Sequence, residues 1–110
     1  MRLQLEPDIT VVGEAEDGNA AIAAAQSLQP DVVVMDYEMP GMNGLEATRR
    51  LADLGAACRV VMLTRHDAGA VRQAAAGAGA WAFVAKHEPS EQLLSAIRNA
   101  ARRQRGEDTS

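Results

Sequence analysis

The chain has 110 residues, enough for one domain around one core, with 47% hydrophobic and 24% charged residues. Its net charge of -4 at pH 7 argues against a nucleic-acid-binding surface. The apolar runs are too short for a membrane helix, residues 1–7 carry no secretory signal pattern, and Cys58, the only cysteine, excludes an internal disulfide or a cysteine-based zinc site, all of which points to the cytoplasm.

Residues 2–5 read as a stub of helix, followed by Ile9-Thr10-Val11-Val12 as a strand that ends at Gly13 and the acidic stretch Glu14-Ala15-Glu16-Asp17-Gly18. Residues 19–29 read as a helix with Ile22, Ala25 and Leu28 on one face, and Pro30 stops it. Val32-Val33-Val34-Met35-Asp36 is a nearly all-apolar strand of the kind buried on both sides of a sheet. Proline and two glycines then punctuate the segment from Tyr37 to Gly44, which predicts a loop.

A helix over residues 45–54 follows, with Gly55 as its C-terminal stop. Residues 58–63 form a strand that ends at Thr64, and a short helix opens at Asp67 or Ala68 and runs into Gly77-Ala78-Gly79. Residues 80–85 are a further strand, followed by Lys86. Pro89 sits where a helix start tolerates it, and Leu93, Leu94, Ile97 and Ala101 stripe the last helix. Arg98, Arg102, Arg103 and Arg105 form the one basic cluster, a solvated helix end without base-stacking aromatics. Residues 1–105 therefore read as one domain and residues 106–110 as a flexible tail. Strand–helix alternation predicts an α/β fold, a doubly wound parallel sheet with helices on both faces.

In such sheets ligands sit beyond the carboxyl ends of the strands, where this chain carries Asp36, Thr64 and Lys86. A carboxylate, a hydroxyl and an ammonium suit phosphoryl transfer. Asp36 can attack phosphorus and form an acyl phosphate, while Lys86 and Thr64 meet charge on the transferred oxygens. Lys86 is the only lysine among eleven basic residues, so a compact ammonium is singled out at that strand end.

The strings DVVVMDYEMPGMNGLEATRRL, VVMLT and GAGAWAFVAK resemble the response-regulator receiver family of bacterial two-component systems. The resemblance runs from about Leu3 to Arg102 and is nearest to the branch usually fused to a helix-turn-helix DNA-binding output domain. It implies a flavodoxin-like fold and a signalling switch rather than an enzyme. Asp36 would accept a phosphoryl group from a sensor histidine kinase, Thr64 would swing toward it, and Phe83, three residues before Lys86, would rotate inward. Asp36 and the backbone carbonyl of Glu38 would help hold Mg²⁺. Glu38, Arg65 and His66 occupy positions that resemble the family's rate-tuning sites, and Arg65 stands where the family usually has a small residue. Trp81 should share a face with Phe83 by strand alternation, either as a buried edge residue or on the output surface.

The family's first strand, with its metal-binding acidic pair, has no counterpart in this sequence, so Mg²⁺ should bind weakly or not at all. Glu14, Glu16 and Asp17 are substitutes in composition only, since they follow the second strand of the family pattern. That pattern puts the missing strand between residues 9–12 and 31–35, where its loss would leave about ten backbone groups unpaired at about 1–3 kcal/mol each. Net domain stability is only about 5–15 kcal/mol. Three arrangements are open: a start upstream of Met1, a strand from another chain, or direct pairing of the flanking strands. The second would produce a homodimer by strand or helix exchange. Two other functions compete: a haloacid-dehalogenase-like phosphohydrolase, which would need an aspartate where Glu38 stands, and a phosphorylation-impaired pseudo-receiver acting as a protein-interaction module.

Overall fold

The computed structural model describes residue 13 and residues 15–38, 41–65, 69–86 and 90–104. The expected helix stub at residues 2–5, the strand at residues 9–12, Glu14, His66, Pro89, Arg105 and the tail at residues 106–110 lie outside them. The described elements are α1 (Gly18–Leu28), β1 (Val32–Asp36), α2 (Gly44–Asp53), β2 (Arg59–Thr64), α3 (Gly69–Ala78), β3 (Ala82–Ala85) and α4 (Ser90–Gln104). Among the described residues no helix is long and apolar enough to cross a membrane.

The strands form a parallel sheet in the order β1-β2-β3, as α/β alternation predicts. Asp36 pairs in register with Leu63, and Thr64 with Ala85, so the three carboxyl ends are level. Beyond the strands the backbone ladder continues. Tyr37 donates to the Leu63 carbonyl at 2.7 Å and Lys86 to the Thr64 carbonyl at 2.7 Å. These two bonds carry the register into the residues that hold the chemistry.

Each face of the sheet buries its own cluster. Ala25 of α1, Ala47 and Leu51 of α2, Met35 and Val60 form one, and Leu93, Ile97 and Ala100 of α4 close on Val61 and Val84 to form the other. Alternation along the central strand sends Val60 one way and Val61 the other, which is how one strand feeds two cores. On the α4 face the buried stripe is Leu93, Ile97 and Ala100, one position away from the expected Ala101.

Helix ends follow local chemistry. Asp17 caps α1 by accepting from the Ala20 N–H at 2.8 Å, and Asn43 caps α2 by accepting from the Glu46 N–H at 2.9 Å. Gln29 leaves α1 in the left-handed conformation, φ 50°, with its N–H donating to the Ala25 carbonyl, and Pro30 follows where the helix cannot continue. Gly55 ends α2 at φ 72°.

Three expectations need correcting. Leu28 does not share the buried face of Ile22 and Ala25: it is 47% exposed in the last turn of α1. β1 is covered on both faces, Val33 and Met35 on the α1–α2 cluster and Val32 and Val34 on the α4 cluster, but less deeply than expected: Val32, Val33 and Val34 are only partly buried and Met35 is fully so. Trp81 and Phe83 do not share a face. The strand starts at Ala82, so alternation does not extend back to Trp81, which sits in a bend and packs on the α4 cluster.

Candidate functional site

The level strand ends bring Asp36, Thr64 and Lys86 together, as the sequence predicts. The Lys86 ammonium lies 2.6 Å from Asp36 Oδ2, while the other carboxylate oxygen accepts from the Glu38 N–H at 3.0 Å. Both side chains of the ion pair are about a third exposed, 31% and 38%, so a reactant can reach them. A pair this open contributes only about 0–1 kcal/mol to stability.

Thr64 is fully buried at the end of β2. Its hydroxyl donates to Glu38 Oε2 at 3.4 Å, and the Arg65 N–H donates to Glu38 Oε1 at 3.1 Å, with Arg65 Nε 3.5 Å from the same oxygen. The Glu38 carboxylate thus spans from the β1–α2 loop to the end of β2. Partial burial pushes its carboxyl up, but the Arg65 backbone donor, the nearby Lys86 charge and the Arg65 side chain outweigh that, holding it below the ordinary 4.5. Glu38 and Arg65 are brought together; His66 is outside the described residues.

Gly44, which sequence reasoning treated only as loop punctuation, packs directly against the backbone of Asp36. A Cβ there would fall on the Asp36 carbonyl oxygen, and the Gly44 N–H donates to the Tyr37 carbonyl at 2.9 Å. The chain must return this closely to start α2 under the phosphoacceptor candidate, and only glycine leaves room. Thr48 anchors the same turn: its buried hydroxyl donates to the Gly44 carbonyl at 2.8 Å. The signal in the sequence was Asn43-Gly44 directly before a helical stretch, with Glu46 three residues after its cap.

Phe83 is half-buried in β3 under the Arg72 guanidinium of α3, 4.5 Å from ring centre, and Trp81 takes the Arg59 guanidinium at the same distance. Cation–ring contacts of this kind hold an aromatic edge without enclosing it. Cys58 is half-buried, and burial pushes its thiol up, away from reactivity. Asp17 caps α1 and Glu16 is exposed. No cluster of three metal-ligating side chains occurs among the described residues.

The chain is similar to known proteins in sequence and in fold. The transcriptional regulatory protein DesR of Bacillus subtilis is 42% identical over 97 residues, covering 88% of this chain and 48% of DesR. The nitrate/nitrite response regulator NarL of Escherichia coli K12 is 40% identical over 101 residues, covering 90% of this chain and 46% of NarL. The chain spans about half the length of the curated relatives it matches. The solved signal receiver domain of NarL from Mycobacterium tuberculosis superimposes with a TM-score of 0.87 at 33% identity, over 91% of this chain and 81% of that one. A LuxR-family two-component response regulator from Aurantimonas gives 0.84 at 35% identity, over 89% and 70%. Residues 1–98 match the response regulator receiver domain, and with the flavodoxin-like sheet and its acid, hydroxyl and amine at the strand ends, the chain belongs to that family.

Proposed function

We propose that this chain is a receiver module that takes a phosphoryl group onto Asp36 from a sensor histidine kinase and changes its output surface in response. The observation that carries the reading is the Lys86 ammonium 2.6 Å from the Asp36 carboxylate at the carboxyl ends of parallel strands. An Asp36 oxygen forms a bond to phosphorus as the phosphorus–nitrogen bond of the donor phosphohistidine breaks. The electron pair stays on the departing imidazole, which solvent protonates. Lys86 meets the negative charge on one equatorial oxygen, and Thr64 is the hydroxyl donor for another.

Magnesium fits the residues present in a minimal way. Asp36 supplies a carboxylate and Glu38 a backbone carbonyl, and this cation commonly takes one or two carboxylates and completes its shell with water and phosphate oxygens. When bound, it would offset the charge of the phosphoryl oxygens. Asp36, held from both sides by the Glu38 N–H and Lys86, would present its carboxylate in one orientation to donor and metal alike.

Relatives named as transcriptional regulators, about twice the length matched here, support a DNA-binding output domain, fused or separate, as the partner that reads the switch. Residues 1–105 would act as one receiver domain, in the cytoplasm, with Phe83 on the surface that responds. Intact-mass measurement after acetyl phosphate treatment tests the assignment. Wild type should gain one phosphoryl group and Asp36→Asn none; an adduct that survives the substitution would refute it.

A further inference from the structure

The Glu38 carboxylate has taken up the donors at the end of β2. Its two oxygens accept from the Thr64 hydroxyl at 3.4 Å, the Arg65 N–H at 3.1 Å and the Arg65 side chain at 3.5 Å, while its own N–H donates to Asp36. A group with two oxygens and a negative charge, resting on a hydroxyl, an amide and a guanidinium, is what an anion bound at this strand end would look like. Here the anion is part of the chain. We propose that Glu38 is an internal surrogate for the phosphoryl group, a positioning residue that competes with it for Thr64 and Arg65 and so holds the unphosphorylated switch closed. The proposal rests on the assignment of Asp36 as phosphoacceptor.

The chemistry of the donors makes the competition unavoidable. A threonine hydroxyl has one proton, so Thr64 cannot donate to Glu38 and to an oxygen on Asp36 at once. Glu38 also sits two residues from Asp36, and a fixed negative charge there opposes the arrival of another. Phosphorylation then has to displace one carboxylate from charge-assisted hydrogen bonds before Thr64 can turn, which sets a threshold on the switch. Arg65 tightens the threshold from outside: its side chain is 72% exposed, so it reinforces Glu38 without closing the site to the donor.

Beryllofluoride with magnesium, added to the full chain, probes this without the kinetics of a phosphodonor. Glu38→Ala removes the competing carboxylate from Thr64 and Arg65, and the half-saturating beryllofluoride concentration should fall about three- to tenfold, the worth of one ordinary hydrogen bond. Glu38→Gln, which keeps shape and loses charge, should fall in the same direction by less. In a Thr64→Val background the gain from Glu38→Ala should shrink. Amide spectra of the free chain, without metal, give a second readout. The Arg65 N–H resonance should move upfield in Glu38→Ala, and wild type and variant should converge there once beryllofluoride is bound, because the carboxylate has left in both. Unchanged or weaker beryllofluoride binding in Glu38→Ala, an undiminished gain with Thr64→Val, or Arg65 shifts that stay apart in the bound state would each overturn the proposal. No beryllofluoride binding by wild type or variants would overturn the phosphoacceptor assignment itself, a separate result.

Discussion

Two halves of the site are built differently. Asp36 and Lys86 meet because two strand ends, separated by the central strand, are held level by backbone pairing: Asp36 with Leu63 and Thr64 with Ala85. Glu38, Thr64 and Arg65 meet because one side chain in a loop reaches across and finds three donors. The first arrangement survives changes of side chain, since the ladder that levels the ends is made of main-chain groups. The second exists only as long as residue 38 is an acid of the right length. A geometry fixed by backbone suits chemistry that must always be ready, and one made by a side chain suits a contact that must break.

Removing Lys86 tests the first half most severely. Lys86→Ala should lower the rate of acyl phosphate formation roughly a hundredfold or more, as expected for loss of a positioned charge on the transferred group. Unfolding stability should change by only about 0–1 kcal/mol, because the pair is about a third exposed. Lys86→Arg should recover little of the rate, since a planar guanidinium does not replace a compact ammonium. Equal losses of rate and stability would mean that the pair is structural.

Gly44→Ala attacks the same half through the backbone. The added methyl falls on the Asp36 carbonyl, and main chain has to move to admit it. The expected cost is about 1–3 kcal/mol in urea unfolding, together with slower phosphorylation as Asp36 shifts. Asn43→Ala is a useful control: it removes the α2 cap at about 1 kcal/mol without crowding Asp36, and phosphorylation should be nearly unaffected.

What could be read from the sequence divides along the same line. Short apolar runs ending in Asp36, in Thr64 and just before Lys86 put those groups at the strand ends, because period, strand ends and sheet type follow from local pattern. Among the described residues the helices came out within a residue or two, and Pro30 and Gly55 marked two of their ends. Trp81 was misplaced because alternation was extended one residue beyond the strand, into a bend whose conformation no local pattern announces. The partial exposure of Val32 to Val34 was missed because a short apolar run does not tell how deeply each of its side chains is covered. Glu38 and Arg65 could be named by resemblance, but not the contact between them: they are separated by 27 residues, and loop side chains carry no period from which a meeting could be inferred.

The smallest effect expected concerns the second half and pH. Glu38 titrates in the folded chain below its ordinary 4.5, since the donors on Arg65 and the charge of Lys86 outweigh the effect of partial burial. A carboxyl whose folded value is depressed adds stability that is fully present above its unfolded value and disappears as pH falls through the folded one. Wild type should therefore exceed Glu38→Gln in urea unfolding by a constant margin from neutral pH down to about pH 5, and the margin should narrow below 4.5 as Glu38 takes up its proton and releases Arg65. Carboxylates common to both proteins cancel in the difference. A margin that persists undiminished to about pH 3, or widens on acidification, would show that the clasp owes nothing to the charge of Glu38. The two halves of the site would then differ in sequence position but not in physical kind.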